Sequence, residues 1–160
     1  MNVALLGTGL LGQAVAERLH ATGHHLWAYN RTPEKTLALQ QQGIHIASTA
    51  GEAIAAADVV ILMLADATAI RAVLFDPSTS QALRSRTIIQ MGTIGPSESR
   101  SIGEDIERLG GHYLEAPVLG SIAEAKSGTL LIMVGATPEQ FVTWSPLLHA
   151  LSSDVRLIGP

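Results

Sequence analysis

Gly7, Gly9 and Gly12 are spaced Gly-x-Gly-x-x-Gly between an apolar run at 3–6 and a stretch of helical periodicity at 10–19. No other feature of this 160-residue chain restricts its fold as much. A buried strand that reverses directly into a helix needs bare backbone at defined points. Gly7 permits the tight turn, Gly9 lets the main chain approach a phosphate, and Gly12 lets the helix pack closely on the strand. The amides of Leu10 and Leu11 then point out of the helix N-terminus, where the dipole favours negative charge. Gly7, Thr8, Gly9, Leu10, Leu11 and Gly12 are therefore expected to bind the pyrophosphate of a dinucleotide.

A second strand at 25–29 runs into Asn30-Arg31-Thr32. Dinucleotide sites usually place an acidic residue here to accept hydrogen bonds from the adenosine ribose, yet no acid occurs before Glu34. Arg31 reverses the preference, because a planar guanidinium pairs with a 2′-phosphate and stacks on adenine. Asn30 and Thr32 add neutral hydrogen-bonding groups, and Lys35 a second cation. Charge-assisted bonds of this kind contribute about 1.5–3 kcal/mol each, a roughly tenfold to hundredfold preference for NADP(H) over NAD(H).

The remaining pattern alternates strands and helices. Helix 10–19 places Leu11, Val15 and Leu19 on one face and stops near Gly23; Pro33 opens a helix running to 43. A short extended piece at 44–47, a small Ala-rich helix and a buried strand at 59–64 follow, and Asp66 caps the next helix, ending near 75. Further strands are expected at 88–91, 111–115, 130–134 and 155–158, with helices at 97–109, 122–127 and 138–151. Such alternation predicts an α/β fold of Rossmann type: a doubly wound, mostly parallel sheet with helices on both faces, in one domain.

Charged residues make up 15% of the chain, against about 25% in an average soluble domain, which points to surface hidden against a missing domain or partner. The net charge of −4 without a basic run argues against nucleic acid. The absence of cysteine excludes disulfides and thiolate chemistry. No apolar run reaches the roughly 20 residues of a membrane span, and no basic n-region marks a signal peptide; the expected location is the cytoplasm. Six histidines form no paired ligand motif, since Gly23 interrupts the His20/His24 spacing. Ser97 and Ser99 lack a triad pattern, and Trp27 and Tyr29 read as sheet-face packing.

Five segments taken together, GTGLLGQAVAERL, NRTPEK, LMLAD, IQMGTIGPSES and LEAPVLGSIAEAKSGTLLIMVGA, resemble the N-terminal domain of the β-hydroxyacid dehydrogenases, the family of 3-hydroxyisobutyrate and 6-phosphogluconate dehydrogenases. The resemblance covers essentially the whole chain. Asn30-Arg31-Thr32 and Gly120-Ser121 are most similar to the glyoxylate/succinic semialdehyde reductase branch. The resemblance implies that Leu64 and Ala65 line the cofactor cleft, that Thr93 contacts the nicotinamide ribose or ring, and that Leu119, Gly120 and Ser121 form the turn that takes a substrate carboxylate. A free serine hydroxyl at a helix N-terminus suits that task, although Leu119 replaces a serine usual in the family. The family's general acid or base is a lysine on a helix after this domain. Lys35 belongs to the adenosine end and Lys126 reads as solvated, so the catalytic lysine is expected beyond Pro160, with an all-helical C-terminal domain and a homo-oligomeric parent protein. The implied activity is NADPH-dependent reduction of a small carboxylated aldehyde or keto acid, or the reverse oxidation of a 3-hydroxy acid. An imine reductase, against which the EAPVLGS block argues, and a noncatalytic NADP-binding module are the alternatives.

Overall fold

From Val3 onward, β1 (Asn2–Leu6) is buried on both sides, and its residues alternate between two apolar layers: Val3 and Leu5 enter one, Ala4 and Leu6 the other. The computed structural model describes residues 1–160. From β1 the chain winds in both directions. α1 (Leu10–Ala21) returns it to β2 (His25–Tyr29), α2 (Leu37–Gln41) leads to β3 (His45–Ile46), and α3 (Ala50–Ala55) crosses to β4 (Val59–Leu62) on the other side of β1. α4 (Ala67–Leu74) and the short α5 (Pro77–Ser80) precede β5 (Thr87–Gln90), and α6 (Pro96–Arg108) precedes β6 (His112–Glu115). Every pairing as far as β6 is parallel. The chain then adds β7 (Val118–Leu119), α7 (Ile122–Ser127), β8 (Leu131–Gly135), α8 (Pro138–His149) and β9 (Asp154–Gly159). β8 is antiparallel to β6 and β7, whereas β9 runs parallel to β8. The strands form one nine-stranded sheet in the order β3-β2-β1-β4-β5-β6-β8-β7, with β9 on β8, so the expected doubly wound, mostly parallel architecture is present.

Helices cover both faces because the central strands are apolar throughout. Val59 and Ile61 join the β1 residues Val3 and Leu5 in one layer, while Val60 and Leu62 join Ala4 and Leu6 in the other. Fully burying a side chain of this size contributes about 1.5–3 kcal/mol. Local chemistry sets the helix ends. Asp66 Oδ1 accepts from the Ala69 amide at 2.8 Å, as expected, and Gly128 ends α7 in the left-handed region at φ +73°.

Four departures from the sequence expectation have local causes. The helix from Pro33 begins as a 3-10 turn over Pro33–Thr36 before α2. The Lys35 carbonyl accepts from Thr8 Oγ1 and Gln13 Nε2, which draws it away from a regular helical ladder. Strand β4 stops at Leu62 rather than 64; the Met63 amide makes a last bond to the Leu6 carbonyl, beyond which the chain leaves the sheet to line the cleft. β7 is too short to register as periodicity and exists through its pairing with β8. α8 ends at His149 rather than 151, and the Ala150 carbonyl accepts from Arg18 Nε at 2.9 Å. No helix is long and apolar enough to cross a membrane.

Ile61 is fully buried on β4, in the middle of the sheet. Ile61→Ala should lower the unfolding free energy by about 2–5 kcal/mol. Denaturant titration with an unchanged slope should record the loss as a shift in midpoint alone.

Candidate cofactor site

The three glycines of the loop turn out to be required for three different reasons. Gly7 has φ +102°, and a Cβ there would stand 2.4 Å from the Met63 carbonyl oxygen. At Gly12 a Cβ would lie 2.1 Å from the Gly7 carbonyl oxygen. Both positions are closed to a side chain by the protein's own backbone. Gly9, by contrast, has no atom within 4 Å of its Cβ position, so what it leaves clear is space outside the chain. α1 starts there with no side-chain cap and no acidic residue in its first turn. The Leu10 and Leu11 amides donate to no protein acceptor, and the helix dipole makes this end attractive to an anion. Leu10 projects into solvent, 75% exposed, while Leu11 packs on the core.

Thr8 is fully buried and faces inward. Its amide donates to Asn30 Oδ1 at 2.9 Å and its hydroxyl to the Lys35 carbonyl at 2.9 Å. Asn30 Nδ2 donates to the Thr32 carbonyl at 3.2 Å. Asn30 borders the cleft, yet its oxygen and nitrogen are both engaged by backbone. It ties the end of β2 to the glycine loop, a structural task that its position in the sequence did not disclose.

At the carboxyl ends of β1, β2 and β4, where the winding reverses, lies a cleft of about 510 Å³. Gly7, Gly9, Arg31, Thr32 and Lys35 line it. Arg31 and Lys35 are exposed and form no ion pair; the cations that do are Arg71, Arg108, Lys126 and Arg156. Leu64 and Ala65 after β4 line it too, with Ala69, Ala72 and Val73 of α4. Tyr29, Thr49, Asp76, Ser78 and Thr79 also border the cleft and were not anticipated. Asp76 stands past the end of α4, in extended backbone at the N-cap of α5, so the helical face of 69, 72 and 73 does not reach it. Ser78 and Thr79 arrive through the α5 turn, which carries no such pattern.

Thr93 and the 119–121 turn lie outside this cleft. Thr93 is exposed after β5, and its hydroxyl has no partner. It does not cap α6; Gly95 does, donating its amide to Glu98 Oε2 at 2.9 Å. Buried Gln90 holds the loop by hydrogen bonds in both directions with Gly92, which rests against the Leu64 carbonyl. The Thr93 loop thereby adjoins the Leu64 rim of the cleft. At Ser121 the expectation of a free hydroxyl is wrong. Its amide donates to Glu124 Oε2 at 2.7 Å and its hydroxyl donates to the same oxygen. These bonds hold the Glu124 carboxyl below the usual carboxylate range. Leu119 is 56% exposed beside them, and Gly120 has φ +137°. Lys126 is exposed and pairs with Glu17 of α1 at 3.6 Å, as expected of a solvated lysine. No group of three or more His, Asp or Glu side chains is arranged to hold a metal.

A glycine-rich turn from the first strand into an uncapped helix, at the reversal point of a doubly wound sheet, defines a dinucleotide-binding domain. Residues 2–159 match the family described as the NAD binding domain of 6-phosphogluconate dehydrogenase, and the chain belongs to that family. It is 32% identical over 161 residues to the 2-hydroxy-3-oxopropionate reductase of Escherichia coli K12, covering 99% of this chain and 55% of that protein. Among solved structures, the 3-hydroxyisobutyrate dehydrogenase of Mycobacterium tuberculosis superposes with a TM-score of 0.93 at 28% identity, covering 99% of this chain and 54% of the other. An imine reductase from Bacillus cereus BAG3X2 reaches 0.90 at 26% identity, over 99% and 54%. The chain thus spans about half the length of these relatives.

The glycine geometry separates two variants. Gly9→Val should abolish dinucleotide binding, with loss beyond about tenfold by calorimetry, while circular dichroism and melting temperature stay near wild type. Gly12→Ala should instead destabilise the fold, by about 1–3 kcal/mol, because backbone blocks the new methyl group. If the two variants behave alike, the open space at Gly9 is not where the pyrophosphate lies.

Proposed function

We propose that this chain is the cofactor-binding half of an NADP(H)-preferring oxidoreductase. Its parent protein reduces a small carboxylated aldehyde or keto acid of the glyoxylate or succinic semialdehyde kind, or carries out the reverse oxidation of a hydroxy acid. The observation that carries the cofactor preference is the unpaired Arg31–Lys35 wall of the cleft, in place of the acid expected for NAD. Gly7, Gly9 and Gly12, with the Leu10 and Leu11 amides, hold the pyrophosphate. Arg31, Thr32 and Lys35 take the 2′-phosphate, and Leu64, Ala65 and Thr93 lead toward the nicotinamide end. Thr8 and Asn30 act from behind, by fixing the loop to β2. When bound, the cofactor gives or takes a hydride at the substrate's carbonyl carbon.

This chain contributes charge and orientation rather than the proton. Lys35 stands at the 2′-phosphate end, and Lys126 is paired with Glu17. The proton is assigned to a lysine on a helix beyond Pro160, in an all-helical domain that packs against this one in a cytoplasmic homo-oligomer. Leu119, Gly120 and Ser121 are the substrate turn, and Ser121 must release Glu124 before it donates to a substrate carboxylate. That feature favours one second reading. With Ser121 engaged and an apolar Leu119 exposed beside it, the turn also suits an imine substrate, which has no carboxylate to anchor.

NADP(H) should bind about tenfold to hundredfold more tightly than NAD(H) at one ionic strength, and Arg31→Asp should invert the order through like-charge repulsion. Equal affinities in calorimetry would remove the basis of the preference.

The 160-residue chain should bind NADPH yet oxidise it no faster than buffer with glyoxylate or succinic semialdehyde. A missing positioned acid alone typically lowers the rate by about 10²–10⁴-fold. Extension through the next helix and the C-terminal domain should restore turnover, and the spectrum of carboxylated aldehydes against cyclic imines then decides between the two readings. Turnover by the chain alone would place the proton donor within residues 1–160; no turnover of any substrate by the extended protein would leave a noncatalytic NADP-binding module.

A further inference from the structure

We infer that Asp76 selects the purine base of the cofactor by accepting a hydrogen bond from the exocyclic amino group of adenine. This rests on the cofactor reading above and adds base recognition to it. Ala69, Ala72 and Val73 share one face of α4, Asp76 follows just past its end as the N-cap of α5, and all four line the cleft that Arg31 also lines. The two alanines leave a shallow apolar surface on which a flat ring can lie, and the Arg31 guanidinium, lining the same cleft, is a planar group that can stack on such a ring. The far end of the slot is polar. Asp76 Oδ1 accepts from the Ser78 amide at 2.9 Å and from the Ser78 hydroxyl, while Oδ2 accepts from no protein donor and pairs with no cation. Beside it, Thr79 is 4% exposed and borders the cleft, and its hydroxyl makes no hydrogen bond within the protein.

An apolar slot that ends in an acceptor-only oxygen and an unpartnered hydroxyl fits a planar base with a donor on its edge. Adenine presents an amino group at that edge. Hypoxanthine and guanine present a carbonyl oxygen instead, which would face the carboxylate oxygen and repel it. The carboxylate leaves Arg31 and Lys35 free for phosphate, since neither forms an ion pair with it. Solvent reaches Asp76, so the discrimination is smaller than a buried charged hydrogen bond would give.

The test compares binding of NADPH and of its reduced hypoxanthine analogue, by fluorescence titration at fixed ionic strength. Wild type should favour adenine by about fivefold to tenfold. Asp76→Asn keeps one oxygen to cap Ser78 and then presents its amide NH2 to the base, which suits a carbonyl oxygen rather than an amino group, so the preference for adenine should vanish or invert. Asp76→Glu should give an intermediate ratio. Equal affinities in wild type, or a ratio unchanged in Asp76→Asn, would overturn the assignment of Asp76 while leaving the cofactor reading intact. Failure of wild type to bind NADPH at all would overturn both. The wild-type ratio tests the inference even if a variant folds poorly.

Discussion

Where β1, α1 and β4 cross, backbone meets backbone with no room for a methyl group: Gly7 lies under the Met63 carbonyl and Gly12 under that of Gly7. This crossing brings the helix N-terminus to the ends of β1 and β4, and so decides where unpartnered amides and the cleft can coincide. Just past it β4 ends at Leu62, and Met63, Leu64 and Ala65 continue along the lining of the cleft. A side chain at either glycine would force the helix away from the strand. The anion site and the cleft wall would then separate together.

The second organising contact joins β2 to that loop. Thr8 and Asn30 look like ligand residues by position, but they are bonded to one another and to the 30–35 turn. An unsatisfied buried amide costs about 1–3 kcal/mol, which is reason enough for an amide-bearing side chain at the end of β2. The consequence reaches the charged wall: the Lys35 carbonyl is held by Thr8 and Gln13, so the turn bearing Arg31 and Lys35 is anchored to the phosphate loop. The charged turn and the glycine loop are positioned by one hydrogen-bonded unit.

The turns proposed for the nicotinamide and the substrate are organised differently. Thr93 is free and exposed on a loop braced by Gln90, whereas Ser121 is held by the carboxylate of its own helix. A carboxylate accepting from an amide and a hydroxyl has the same chemistry as a bound carboxylate substrate. In the chain as it stands, then, an internal anion satisfies the turn's donors. An anion brought to that turn would compete with Glu124 for the Ser121 donors.

Much of the fold was legible in the residues alone, because the signals were local: apolar runs for strands buried on both faces, glycines where backbone must pass backbone, Asp66 before a helix. The glycine loop and the Arg31 wall were legible for the same reason. Short elements were not. β7 exists only through its register with β8, and α5 only through the Asp76–Ser78 cap. The difference between Asn30 as ligand and Asn30 as strut, between Ser121 free and Ser121 engaged, and the arrival of Asp76 and Thr79 in the cleft were tertiary decisions. Each depends on which donor a given oxygen meets, and these meetings join residues that sequence spacing does not pair, as with Thr8 and Asn30, or that could equally have turned outward to a ligand, as with Ser121 and Glu124. The sequence by itself determined what kind of surface this chain could build; packing decided which of its polar groups were left free to use it.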